Sequence, residues 1–221
     1  MKKIVLSVLA VGAFTFTTNA QTPDIKFGAK AGVNFSNLRN YEDKDFGLSN
    51  SMKTGFHIGV LAEIFINEKF SIQPELMYST QGAKLKLELE APGASLNVKT
   101  ITKLDYINIP IMAKYYVMEG LSVQAGPQLG FLTSAKNEFD SFSFSGFGLS
   151  ISEEEIKSEM NLGDIKKDSN SVDFGLNFGA GYELPMGVFF DARYNLGLTK
   201  VNKADKGIQN SVFQLSVGYK F

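Results

Sequence analysis

From Phe27 to Phe221 apolar and polar residues alternate with a period of two, in eight separate stretches. That spacing belongs to β-strands with two unlike faces; an amphipathic helix repeats its apolar residues every three or four positions. The first stretch sets Phe27, Ala29, Ala31, Val33 and Phe35 against Gly28, Lys30, Gly32 and Asn34. Phe56 to Ile66, Phe70 to Ser79, Tyr106 to Tyr115 and Leu121 to Phe131 repeat the pattern. The last three stretches are the clearest. Val172, Phe174, Leu176, Phe178, Ala180 and Tyr182 oppose Asp173, Gly175, Asn177, Gly179, Gly181 and Glu183. Phe190, Ala192, Tyr194, Leu196 and Leu198 oppose Asp191, Arg193, Asn195 and Gly197, and Phe213 to Phe221 alternate in the same way. Eight strands is an even number, as a closed up-and-down barrel of this kind requires.

The connections alternate in length. Asn67–Lys69, Met118–Gly120 and Pro185–Gly187 are hairpin-sized, whereas Leu38–Lys53, Glu88–Thr100, Lys136–Asn170 and Val201–Gln209 are long. Short turns at one end and long loops at the other predict periplasmic turns and extracellular loops, with both termini on the short-turn side. The composition of the faces decides which side points out. A soluble exported barrel fills its interior with apolar groups and shows Lys and Glu to water. Here the polar face is Gly, Ser, Asn and Gln with a few charges, and an outward face built of Gly would weaken strands without adding solubility. Inside a narrow barrel the same glycines make room for long neighbours. The apolar face therefore points into lipid, and the expected fold is an eight-stranded antiparallel up-and-down transmembrane β-barrel over residues 21–221. Its expected location is the cell outer membrane.

The N-terminus supports export. Lys2 and Lys3 precede a mostly apolar run, Ile4 to Phe16, and Thr17–Ala20 supplies small residues for cleavage. Residues 1–20 are expected to be a signal peptide, since the apolar run is shorter than a typical spanning helix. Cleavage after Ala20 leaves 20 basic and 23 acidic side chains. That balance gives no electrostatic footprint for nucleic acid. The chain has no cysteine, which excludes thiolate metal sites, disulfides and a cysteine nucleophile. No metal and no cofactor is expected.

Six charged residues of the polar face lie within three to five residues of the short-turn end: Lys30, Glu63, Glu75, Lys114, Asp191 and Arg193. Unpaired buried charge is costly, so these three cations and three anions are expected to pair as a structural layer that fills the lumen, helped by Gln73 and Gln124. An eight-stranded barrel is just wide enough for its side chains to fill, so no open pore is expected. Phe27, Phe70, Tyr115, Tyr182, Phe190, Tyr219 and Phe221 form an aromatic girdle near the short-turn end, without the usual Trp.

Lipid-modifying chemistry in a small barrel would need histidine, a nucleophile and an orienting acid. His57 is the sole histidine, with Ser71, Ser79 and Glu63 as its candidate companions. It falls on the inward face, where a structural role is expected and catalysis is not. The loop 136–170 carries Phe139, Phe142, Phe144 and Phe147 ahead of the acidic run Glu153–Glu155, Glu159, Asp164 and Asp168. It lacks the spacing of a calcium loop, but exposed Phe could dock a protein partner.

Several short runs resemble the PorT family of outer-membrane β-barrels. They are Lys30–Ser36 (KAGVNFS), Gln73–Leu76 (QPEL), Tyr106–Pro110 (YINIP), Ala125–Gly130 (AGPQLG) and Asp191–Tyr194 (DARY). The terminal Tyr219-Lys220-Phe221 is similar to the aromatic-ended last strand that barrel-assembly machinery reads, so Tyr219 and Phe221 are expected to be the assembly signal. The resemblance implies a Gram-negative outer membrane, contact with outer-membrane lipid and a barrel of this size. It implies little about activity, although the name-giving member is associated with protein secretion. The expected role is non-enzymatic, structural or interactive through the outer loops, with an accessory part in secretion as one form of it. A narrow channel for ions or small solutes is the alternative.

Overall fold

The computed structural model describes residues 24–40, 47–146, 163–203 and 207–221. The expected signal peptide, Phe147, Glu153–Glu155 and Glu159 lie outside the described residues. Eight antiparallel strands form one closed barrel in chain order. They are β1 (Ile25–Arg39), β2 (Leu48–Asn67), β3 (Phe70–Ala91), β4 (Ala94–Met118), β5 (Leu121–Gly146), β6 (Val172–Glu183), β7 (Val188–Lys200) and β8 (Gln209–Lys220). The ring closes between β1 and β8, from Gly28 opposite Lys220 to Arg39 opposite Gln209. Phe27 and Phe221 exchange both backbone hydrogen bonds below that ladder, at 3.2 and 2.8 Å. Closure removes the unpaired edges that an open sheet would expose, and inside a bilayer no water could satisfy them.

Within the wall the period-two pattern separates two sets of side chains. Phe27, Phe56, Ile58, Val60, Leu76, Ile111, Phe178, Phe190 and Val217 are exposed on the outer wall, while Lys30, Glu63, Gln73, Asn177 and Arg193 are buried within it. A water-soluble chain hides the first set and shows the second, so the surrounding solvent of the wall is hydrocarbon. Inward glycines let the long polar chains fit. A methyl group at Gly179 would lie 2.8 Å from Arg193 Cγ, and one at Gly32 would lie 2.7 Å from the His57 ring.

The strands differ in length in a way the sequence expectation understated. β6, β7 and β8 run 12, 13 and 12 residues, close to what a tilted strand needs to cross a bilayer. β2, β3, β4 and β5 run 20, 22, 25 and 26. The expected long loop Glu88–Thr100 is instead continuous strand on both sides of a turn at Pro92-Gly93, with Ala91 opposite Ala94. Gly93 takes φ +82°, which glycine adopts without a side-chain clash at the third position of such a turn. Likewise the first part of the expected loop Lys136–Asn170 belongs to β5 as far as Gly146. The reason is the pairing itself. Alternation continues upward through Leu85, Leu87 and Leu89, and each finds a partner across the ladder.

Above the polar lumen the inward positions turn apolar. Leu38, Ala83, Leu85, Leu104, Tyr106, Leu132, Ala135, Val201 and Ile208 form one buried cluster, and Ile165 packs against it. Ile165 lies just before a one-turn 3-10 helix, Lys166–Asp168, tied back to β5 by Ile165 N–H donating to the Ala135 carbonyl at 3.0 Å. This apolar lid closes the extracellular end.

Candidate functional site

Two regions carry chemistry: the filled lumen and the sheet that rises above the outer surface. Lumen side chains sit where the inward registers of different strands meet. Near the short-turn end Lys30 Nζ contacts Glu75 at 2.8 Å and Asp191 at 3.6 Å. Arg193 bridges the same two carboxylates, at 2.8 Å to Glu75 and 3.0 Å to Asp191. Gln124 accepts from Arg193 at 2.9 Å and donates to Asp191 at 3.1 Å, and Gln73 donates to Glu75 at 2.6 Å. All four charged side chains are nearly inaccessible, so each charge is met by an opposite one where water does not screen it.

Lys114 and Glu63 belong to a second cluster, paired at 3.2 Å, and Lys114 reaches the first through Gln73 Oε1 at 3.3 Å. This cluster contains four residues that the sequence expectation did not include. Lys220 pairs with Glu63 and with Glu183, both at 2.5 Å. Lys26 adds a bond to Glu183 at 3.3 Å, and Tyr116 donates to Glu63 at 2.7 Å. Glu183 and Lys220 stand on the polar faces of their stretches, so parity alone marked them as inward. Their omission came from confining the layer to positions nearest one depth. A cavity of about 670 Å³, lined by Lys26, Phe65, Tyr116, Tyr182 and Glu183 among others, opens below this cluster. Tyr219 and Phe221 are exposed on the outer wall at the same end.

His57 lies above the first cluster and is fully buried. Its partners differ from the sequence candidates. Ser71 donates to Glu63 at 2.5 Å, and Ser79 accepts from Asn34 at 3.0 Å. The ring instead contacts Asn34 Oδ1 through Nδ1 at 2.7 Å and Ser216 Oγ through Nε2 at 2.8 Å. Asn34 Nδ2 donates to Phe56 O, Ser79 Oγ and Thr80 O, each at 3.0 Å, which fixes the amide with Oδ1 toward the ring. Since Oδ1 only accepts, Nδ1 carries the proton and Nε2 accepts from the Ser216 hydroxyl. This is the order of a nucleophile, a base and an orienting group. It sits where no substrate reaches: Asn34 and His57 are 0% and 1% exposed. The arrangement crosslinks β1, β2 and β8.

The next level is built of amides. Asn177 donates to Gln128 at 3.1 Å and accepts from Asn195 at 3.2 Å. Above it Asn210 donates to Asp173 at 3.0 Å and to Tyr106 at 3.2 Å, directly beneath the apolar lid. Among the described residues no group of three or more His, Asp or Glu is placed to hold a metal ion.

Outside the barrel, β3, β4 and β5 continue as a two-faced sheet. On the face continuous with the lid, Leu89 lies opposite Leu96 and Leu87 opposite Val98; across the next ladder Leu96 meets Phe144 and Val98 meets Phe142. These six are half-buried or exposed. The other face carries Lys86, Glu88, Lys99, Ser141 and Ser143, with Lys86 and Glu88 paired at 2.6 Å. Phe139, Phe142 and Phe144 thus lie on strand β5. Asp164 bridges to Lys136, and Asp168 lies in the short helix.

A closed eight-stranded wall with an apolar exterior and a packed polar interior defines a transmembrane β-barrel. The chain belongs to the outer membrane protein beta-barrel domain family, whose model matches residues 19–203. The protein is therefore a resident of the outer membrane, in contact with its lipid. In fold it is similar to Neisserial surface protein A, at 18% identity over 91% of this chain and 100% of that one, with a TM-score of 0.46. It is also similar to the attachment invasion locus protein Ail of Yersinia pestis, at 16% identity, 89% and 98% coverage and a TM-score of 0.41. OprG of Pseudomonas aeruginosa follows at 10% identity, 89% and 94% coverage and a TM-score of 0.37. A comparison with curated protein sequences finds no match.

Proposed function

We propose that the protein is a non-enzymatic interaction protein that presents the extracellular sheet of β3, β4 and β5 to a protein partner. The observation that carries this reading is the amphipathic overshoot. β4 extends roughly a dozen residues beyond the bilayer, at ~3.3 Å rise per residue, and keeps one face of Leu and Phe. An apolar face of that kind above the membrane is what a partner-binding surface has and what a purely structural barrel does not need. The lumen supports the same reading, because two ion-pair clusters, an amide level and an apolar lid stand in series where a channel would run. In this reading residues 1–20 direct export, the ion pairs of Lys30, Glu63, Glu75, Lys114, Asp191 and Arg193 hold the barrel, and Tyr219 and Phe221 hand it to the assembly machinery. The resemblance to the PorT family makes a component of a secretion apparatus the first partner to test.

The test is crosslinking on intact cells. Leu89→Ser, Leu96→Ser and Phe144→Ser together are expected to remove a crosslinked protein while leaving the heat-modifiable gel shift of the folded barrel unchanged. Retention of every crosslinked species by that variant would refute the sheet as the docking surface.

A further inference from the structure

The polar face of the β3–β5 sheet is continuous with the lipid-facing wall. Tyr78, Ile107 and Phe131 form the last aromatic row of that wall, and Thr80, Asp105 and Ser134 the row above it. Three rows rich in lysine follow: Gly82, Lys103 and Lys136; then Lys84, Ile101 and Glu138; then Lys86, Lys99 and Ser141. Across β2 the upper two rows end in Ser51 and Ser49, which bring no charge. Five lysines therefore share one face with a single carboxylate among them.

Two of the cross-strand pairs are repulsive. Lys103 stands directly opposite Lys136 and Lys86 directly opposite Lys99, and like charges so placed destabilise a sheet. Lys84 is diagonal to both Lys99 and Lys103. The nearby acids do not compensate. Glu138 takes Lys103 at 2.5 Å, and Glu88, a row higher, takes Lys86 at 2.6 Å. Asp164, opposite Lys136 in an isolated bridge, accepts instead from the Lys166 backbone N–H at 2.8 Å. Lys84, Lys99 and Lys136 are exposed and have no ion pair among the described residues.

Height narrows the identity of the missing anion. The lysine rows run from four to eight residues above Ile107. At ~3.3 Å per residue and a strand tilt of ~40°, they stand roughly 10–20 Å above the last aromatic row. The interfacial layer of a phospholipid leaflet is only about 5–8 Å thick, so most of the patch lies above phospholipid phosphates. Phosphates carried on the sugars of a glycolipid reach that height.

We infer that this face binds the phosphate groups of a phosphorylated glycolipid in the outer leaflet. A phosphate between Lys103 and Lys136, or between Lys84 and Lys99, turns a repulsion into shared charge-assisted bonds. The contact holds the extracellular sheet down against the membrane surface. Partner docking uses the opposite face, so the two roles fail independently.

The test uses the full-length protein refolded into phosphatidylcholine nanodiscs, with its unfolding temperature measured in the presence of one guest. Diphosphorylated lipid A is expected to raise the midpoint by about 5–10 °C, for a site filled a hundredfold above its dissociation constant, and less as sodium chloride is increased. Dephosphorylated lipid A, phosphatidylglycerol and inorganic phosphate are expected to leave it unchanged. Lys84→Gln, Lys99→Gln and Lys136→Gln in one chain are expected to abolish the rise. Freed of repulsion, that variant unfolds no lower than the wild type when no glycolipid is present. Equal wild-type midpoints with the phosphorylated and dephosphorylated lipids would overturn the proposal, whatever the variant does. So would a rise of the same size with phosphatidylglycerol or inorganic phosphate, which would assign the patch to any anion.

Discussion

Glu75 is the most heavily engaged lumen carboxylate, since Lys30 and Arg193 both close on it at 2.8 Å and Gln73 adds a third contact. Removing one member of a buried ion cluster strands its partners and costs about 3–5 kcal/mol. Glu75→Ala is therefore expected to lower the urea midpoint of the refolded barrel by that equivalent, whereas Lys86→Ala, in an exposed pair above the membrane, shifts it by less than about 1 kcal/mol. Equal effects of the two would show that lumen pairing contributes nothing special. His57→Ala loses two buried hydrogen bonds and is expected to cost about 1–3 kcal/mol, with no change in the lipid profile of the cells. At this scale the sequence was informative about direction and silent about partners. Parity alone marks His57, Glu63, Asp173 and Lys220 as inward. Which of them touch depends on the stagger between strands, so Lys220 of β8 reaching Glu63 of β2 across β1 is a consequence of closure that no local spacing encodes.

The β3–β4 hairpin separates two things that the sequence presents as one. Alternation persists from Tyr78 to Leu89 and resumes at Leu96, but the apolar residues change face, from Tyr78 on the outer parity to Leu85, Leu87 and Leu89 on the inner one, so the lipid-facing pattern stops near the height of a bilayer and the expected strands end there. The Pro92-Gly93 pair was the available signal, since that dipeptide fits a two-residue turn better than the middle of a long loop. The overshooting hairpin contributes pairing to β4 and β5 but none to the membrane wall. Replacing Glu88–Asn97 with Asn-Gly joins the Leu87–Val98 pair through a tight hairpin turn. The shortened protein is expected to reach the outer membrane at wild-type abundance and keep its heat-modifiable migration, while losing the crosslinked partner. Failure to assemble would mean that the sheet helps to build the barrel instead of standing on it. The opposite end of the chain makes the contrasting case. Phe221 closes the β1–β8 seam through both of its backbone groups, so deleting it removes two closing bonds as well as an exposed terminal ring. Deletion of Phe221 is expected to slow assembly, seen as unfolded chain accumulating in the periplasm. Phe221→Tyr keeps both features and is expected to restore the wild-type level.

For the whole molecule the decisive property is that its barriers stand in series. An ion crossing the lumen would meet the Lys220–Glu63–Glu183 cluster, then the Arg193–Glu75 cluster, then the Asn177–Asn195 amides, and finally the Leu104–Leu132 lid. These barriers differ in kind. Charge pairs resist by electrostatics and packing, whereas the lid resists because it offers a hydrated ion no polar contact. Weakening one leaves the others, so the wild type and the single-level variant Glu75→Ala with Arg193→Ala are both expected to show no steady conductance in planar bilayers. Polar substitution of the lid alone, Leu104→Ser with Leu132→Ser, is expected to remain closed for the same reason, because the paired charges below still fill the cross-section. Combining the two pairs of substitutions removes barriers of both kinds, and only that variant is expected to leak. A steady wild-type current abolished by any one of these changes would reverse the reading, making the lumen a conduction path and the ion pairs its lining. A closed wild type with a leaking combination would show that the side chains, and not the eight-stranded circumference alone, keep the barrel shut.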